Sequence, residues 1–177
     1  HRIIHEFGDF NRAISASAVR LAAVKGLGQS VIQEMKIVEA AAHRLTRARV
    51  IDREVLSSWD ALIDYCTASM AYRETEQFRI LFLDKQNILI ADEEQQKGTV
   101  DHVPVYPREV AKRALELNAS SLILVHNHPS GDPSPSSADI EMTGRIHRGL
   151  TALSIKLHDH IIIGKNKVSS FHDLGLL

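Results

Sequence analysis

A chain of 177 residues with 44% hydrophobic and 24% charged side chains has ordinary globular proportions, which excludes disordered and fibrous classes. Its apolar runs, Ile80–Leu83, Leu122–Val125 and Ile161–Ile163, fall far short of the roughly 20 residues of a membrane span, so no membrane partner is expected. A formal charge of −1 excludes a polybasic protein, and a single cysteine, Cys66, excludes an internal disulfide and favours a reducing, cytoplasmic setting. The chain begins at His1 rather than Met, as expected of a piece of a longer protein, so the lack of a targeting signal carries no weight.

Residues 1–50 predict a small all-helical module. Asp9 caps a helix over Phe10–Ile14, and Ser17 caps one through Val19, Leu21 and Ala22. Lys25-Gly26-Leu27-Gly28-Gln29-Ser30 interrupts the pattern. A long helix from Val31 to about Arg47 follows, its predicted apolar face formed by Val31, Met35, Val38, Ala42 and Leu45. Residues 1–52 carry eight Lys/Arg against five Asp/Glu, a local +3 that leaves −4 for the remainder. A charged stretch, Ala48 to Leu56, marks the boundary.

Residues 57–177 read as an α/β (α+β) domain. Ser57 or Ser58 caps a helix through Trp59, Leu62, Ile63 and Cys66. Gln77–Leu83 is a strand, with Asn87–Ala91 as its hairpin partner; Glu93 and Glu94 are expected in a loop. Pro107 opens a helix with Val110, Ala114 and Leu117 on its apolar face, and Ser121–Val125 is a buried strand. A helix from Ser134 to about Leu150 and strands at Ile155–Gly164 and Lys167–Phe171 complete the order.

Chemistry concentrates between Val125 and Asp139. His126 and His128 end an apolar strand, two residues apart and so on one face. Pro129 stops the strand, Gly131-Asp132-Pro133 turns the chain, and the first turn of the next helix carries Asp139 back toward the histidines. Two imidazoles and a carboxylate with an open fourth position suit a catalytic zinc ion holding one water, one ion per chain. Hydrolysis also needs a base, for which Glu76 at the head of Gln77–Leu83 is the first choice and Glu74 its nearest rival. An oxyanion donor is needed too, and the Ser136 hydroxyl is placed for it. Ser136 and Asp139 equally spell a capping box, and His158-Asp159-His160, a second His-x-His without a third ligand, reads as strand with His160 hydrogen-bonded near the core.

His-x-His, ten residues, Asp, with Ser three before the Asp, resembles the signature of JAB/MPN-type (JAMM) zinc metalloproteases. The string His126-Asn127-His128-Pro129-Ser130-Gly131-Asp132-Pro133, with Pro135-Ser136 after it, resembles the RadC branch, as do Arg79–Asp84, Val105–Ala119 and Asp159–Gly164. The resemblance implies a cytidine-deaminase-like mixed sheet flanked by helices, with His126, His128 and Asp139 as ligands, Glu76 as base and Ser136 at the oxyanion. It further implies cleavage of peptide or isopeptide bonds, which makes a protein or peptide the expected substrate. Val24–Gly28 resembles the hairpin of a helix-hairpin-helix motif, implying contact with DNA phosphates through Gly26-Leu27-Gly28. A DNA-associated protein of repair or recombination is therefore the alternative reading, and metal-dependent cleavage of nucleic acid would use the same residues. The sequence leaves the oligomeric state open, a homodimer included.

Overall fold

The computed structural model describes residues 2–97 and 105–177. Four helices come first: α1 (Arg2–Phe7), α2 (Phe10–Ser15), α3 (Ala18–Ala22) and α4 (Gln29–Arg47). Asp9 and Ser17 cap α2 and α3 as expected, accepting from the amides of Arg12 and Arg20. Phe7, Ala13, Ala16, Leu21 and Ile32 form a small core of their own.

The expected apolar face of α4 is corrected. Val31, Val38, Ala42 and Leu45 are exposed, and the covered side is Ile32, Met35, Lys36, Glu39, His43 and Thr46. Polar anchors rotate the helix. Lys36 donates to the Ile14 carbonyl and to Glu39, Arg73 pairs with Glu39, and His43 donates to the Ala68 carbonyl at the end of the neighbouring helix. Because buried polar groups must be paired, these contacts set a face that apolar periodicity does not reveal.

After a 3₁₀ turn at Leu56–Ser58 come α5 (Trp59–Met70), β1 (Gln77–Leu83), β2 (Leu89–Lys97), α6 (Pro107–Glu116), β3 (Ser121–Asn127), α7 (Ser137–Thr151), β4 (Lys156–Ile163) and β5 (Val168–Ser170). The sheet order is β2-β1-β3-β4-β5, with β3 and β4 parallel and the other pairs antiparallel. This is the mixed α+β sheet flanked by helices that the sequence predicts. β2 runs beyond the expected Ala91, so Glu93 and Glu94 lie in a strand, and Glu93 receives the Arg113 guanidinium from α6.

The two sheet faces sort by parity. Leu81, Leu83, Ile123, Val125, Ile161 and Ile163 pack with Leu62, Cys66 and Met70 of α5. Phe78, Ile80, Phe82, Leu122 and Leu124 pack with Val110 and Ala114 of α6 and with Ile146 and Leu150 of α7. β4 breaks the alternation once. Leu122 pairs with Leu157 but Ile123 pairs with Asp159, so His158 is an extra residue, a bulge in a parallel pair. From there on β4 is shifted by one, and His160, paired with Leu124, faces the α7 side.

Cys66 is 2% exposed, and burial pushes its thiol well above the ordinary range. The reactive species is the thiolate. The native protein should therefore resist a thiol-specific reagent at about pH 8 and react stoichiometrically once unfolded in denaturant.

Candidate metal centre

β3 is buried along its whole length and ends at His126 and Asn127, with His128 directly after it. The chain then turns through Gly131, whose φ of +93° favours glycine. A Cβ on Gly164 would meet the Gly131 carbonyl at 2.4 Å, so the turn and the β4–β5 connection approach as only glycine permits. The His128 amide donates to the Ile163 carbonyl, which extends the contact with β4 up to the residue before Pro129. Ser136 caps α7, and the full capping box forms: the Asp139 amide donates to Ser136 Oγ, and the Ser136 amide donates to Asp139 Oδ2 at 2.8 Å. The Ser136 hydroxyl also donates to Oδ2, at 2.6 Å.

The same box aims Asp139 at the histidines. Asp139 Oδ1 lies 3.3 Å from His126 Nε2, Oδ2 lies 3.5 Å from His128 Nε2, and the two Nε2 atoms are 2.9 Å apart. One ligand atom from each residue falls within 4.8 Å of the others. His128 donates from Nδ1 to the Asp132 carbonyl at 2.8 Å, which leaves its Nε2 as the inward-facing atom. Lone pairs of two imidazoles and a carboxylate held this close repel unless a proton or a cation sits among them. The donor set therefore fits a metal ion, and a proton is its natural substitute.

Glu76 immediately precedes β1. Phe78 pairs with His126, so the antiparallel register carried two residues further sets Glu76 opposite His128. Asn127 holds this lead-in segment in place: its Oδ1 accepts from the Gln77 amide at 2.9 Å, and its Nδ2 donates to the Thr75 carbonyl at 3.3 Å. Both neighbours of Glu76 are thus clamped by the residue between the two histidines. Glu74 is engaged in an ion pair with Arg20 of α3.

Behind His126 lies a second imidazole. His126 Nδ1 is 2.8 Å from Nε2 of the fully buried His160, and His160 Nδ1 is 2.6 Å from the Thr143 hydroxyl. Phe78 stacks on His126 with centroids 6.0 Å apart, and Phe171 covers His160 at 4.6 Å. His160 is hydrogen-bonded in the core as the sequence predicts, but its attachment to His126 is new. So are Asn127, Asp132 and Thr143, of which only Asn127, on the opposite strand face from its histidine neighbours, carried a readable signal.

Burial lowers the His126 pKa to about 4 and that of His160 well below the usual value. Both rings are neutral near pH 7. His128 is raised, first by its hydrogen bond to Asp139 and further by the Asp132 carbonyl and by the charges of Asp139 and Glu76. Asp139 is partly desolvated, yet His128, His126 and Ser136 together hold it well below the ordinary carboxylate range. On acidification the unfolded chain takes up protons at positions 126 and 160 that the native state refuses, so stability falls with pH below about 6.5. The metal-free protein should lose about 2 kcal/mol at His126 by about pH 5, with a further loss at His160, offset in part by His128, whose raised pKa acts in the opposite sense. Thermal melts against pH check this; a His160→Gln variant should show the shallower slope.

Residues 56–176 match a family model described as a RadC-like JAB domain. A protein named UPF0758 from Ruegeria pomeroyi is 65% identical over 175 residues, covering 99% of this chain and 78% of its own length. Another UPF0758 protein, from Rhodobacter capsulatus, is 63% identical over 176 residues, covering 99% of this chain and 82% of its own. The His126–Asp139 geometry lies wholly within the matched segment, and the chain belongs to the RadC-like JAB domain family.

Proposed function

We propose that this chain is a zinc-dependent hydrolase of peptide or isopeptide bonds, with His126, His128 and Asp139 as the ligands. The observation that carries the reading is the convergence of these three donors in a helix cap, beside a glutamate clamped at the head of β1. Two nitrogens and one oxygen with a fourth position free are the donors of a catalytic zinc. When bound, the ion supplies a water acidified toward about pH 7 and a Lewis acid for the scissile carbonyl. Glu76 takes the proton of the attacking water and returns it to the leaving nitrogen, so that water adds across the amide and acid and amine result. Ser136 donates to the oxygen on which charge develops; its hydroxyl hydrogen, directed at Asp139 Oδ2, turns toward substrate about the Cβ–Oγ bond, which leaves the cap to the Asp139 amide in place. A cytoplasmic setting fits the free thiol of Cys66.

Purified His126→Ala should lose the zinc that the parent retains; equal zinc content in the two removes the proposal. Glu76→Gln should keep its zinc and lose turnover of a peptide or isopeptide substrate by about 10²–10⁴-fold. Full activity in that variant would reject Glu76 as the base, and zinc-dependent turnover confined to nucleic acid would replace the substrate class.

A second reading, DNA association through the first module, is supported by the start of α4. Gly26 has φ +86°, Gly28 caps the helix with no side-chain acceptor for its first amides, and Lys25 and Arg2 stand beside this turn. An open groove of about 860 Å³ between α1 and the residues just before this turn is lined by Arg2, His5, Glu6, Ala23, Val24 and Lys25. Oriented amides and cations together suit a phosphate. Affinity for duplex DNA should then fall with salt, with a log–log slope of about −0.9 per phosphate contact; a flat response rejects the reading.

A further inference from the structure

Thr143 sits on α7 one turn after Asp139 and is 1% exposed. Its hydroxyl lies 2.6 Å from the Asp139 carbonyl and 2.6 Å from His160 Nδ1. A carbonyl can only accept, so the single hydroxyl hydrogen goes to Asp139, and toward His160 the hydroxyl can only accept. His160 must then carry its proton on Nδ1. That leaves its Nε2 bare, to accept from His126 Nδ1 across 2.8 Å. With its proton on Nδ1, His126 presents a bare Nε2 to Asp139 and His128.

We propose that Thr143, acting through His160, is a positioning residue that fixes the tautomer of His126 and so prepares its Nε2 to bind metal; the proposal rests on the metal-centre reading above. The direction of the chain is decided at one point. Were the hydroxyl hydrogen turned toward His160, every proton in the series would move one place, and His126 Nε2 would carry a hydrogen where a ligand needs a lone pair. The main-chain carbonyl of Asp139 prevents this. The residue whose carboxylate faces the histidines therefore also dictates, through its backbone, which nitrogen of His126 is available. Phe78 and Phe171 wall the two rings, so no solvent stands in for a missing partner. Hydrogen-bond partners of metal-binding histidines are worth about 10–100-fold in metal affinity.

The test uses the full chain, with zinc alone as the probe. Long-range nitrogen–proton NMR on metal-free protein should find His126 and His160 both protonated on Nδ1. In chelator competition, Thr143→Val, which keeps the shape and removes the hydroxyl, should bind zinc about 10–100-fold more weakly, with His126 no longer held in that tautomer. Thr143→Ser should restore both readouts. Zinc affinity unchanged in Thr143→Val, or a proton on Nε2 of His126 in the unmutated metal-free protein, overturns the proposal. The NMR arm needs neither metal nor variant, so it stands even where Thr143→Val folds poorly. An unmutated protein that shows the expected tautomers but binds no zinc instead overturns the metal centre itself, and with it the purpose assigned to Thr143.

Discussion

β3 is paired on both edges and covered on both faces, so every polar group on it must find a partner inside the fold. Its last residues and the one that follows are His126, Asn127 and His128. Asn127 meets the requirement by taking over the backbone bonds of the segment entering β1. His126 meets it through His160, and His128 through the Asp132 carbonyl. Each of these contacts removes a nitrogen or an amide from consideration and leaves one atom per imidazole pointing inward. The chemistry of the site is what remains after burial has been satisfied.

The capping box shows the same economy. Taken alone, Ser136 and Asp139 are an ordinary helix start, and the structure contains that start in full. Yet the box holds the carboxylate by Oδ2 while Oδ1 stands 3.3 Å from His126. Helix stability and ligand placement are one arrangement here, because the N3 side chain of a cap is fixed in direction before any ion binds.

The His126, His128 and Asp139 group, the strand before it and the cap that carries Asp139 were legible because they lie within nineteen residues, 121–139, and each has a local rule. β3 reads as an apolar run, Pro129 and Gly131 as a turn, and Ser136 and Asp139 as a cap. The face of α4 was not legible, since Lys36, Glu39 and His43 bury polar groups against partners far away in sequence, and no periodicity encodes that. The reach of β2 was hidden for a related reason: Glu93 and Glu94 look like loop until Arg113 of α6 is seen to receive Glu93. Glu76 and Glu74 have the same spacing and chemistry on paper. Their difference is tertiary, with Asn127 clamping the segment around one and Arg20 engaging the other.

The bulge at His158 makes the centre depend on a count of residues as well as on their kinds. Side chains of a strand alternate sides, so the same residues run without the bulge would set His160 opposite Val125, on the α5 side, and bring the aliphatic Ile161 opposite His126. That register would retain His126, His128 and Asp139 and still hold His126 with no acceptor behind it. The supporting imidazole therefore depends on one surplus residue in β4 being looped out as well as on the histidine itself, and a search for the His-x-His string would register neither.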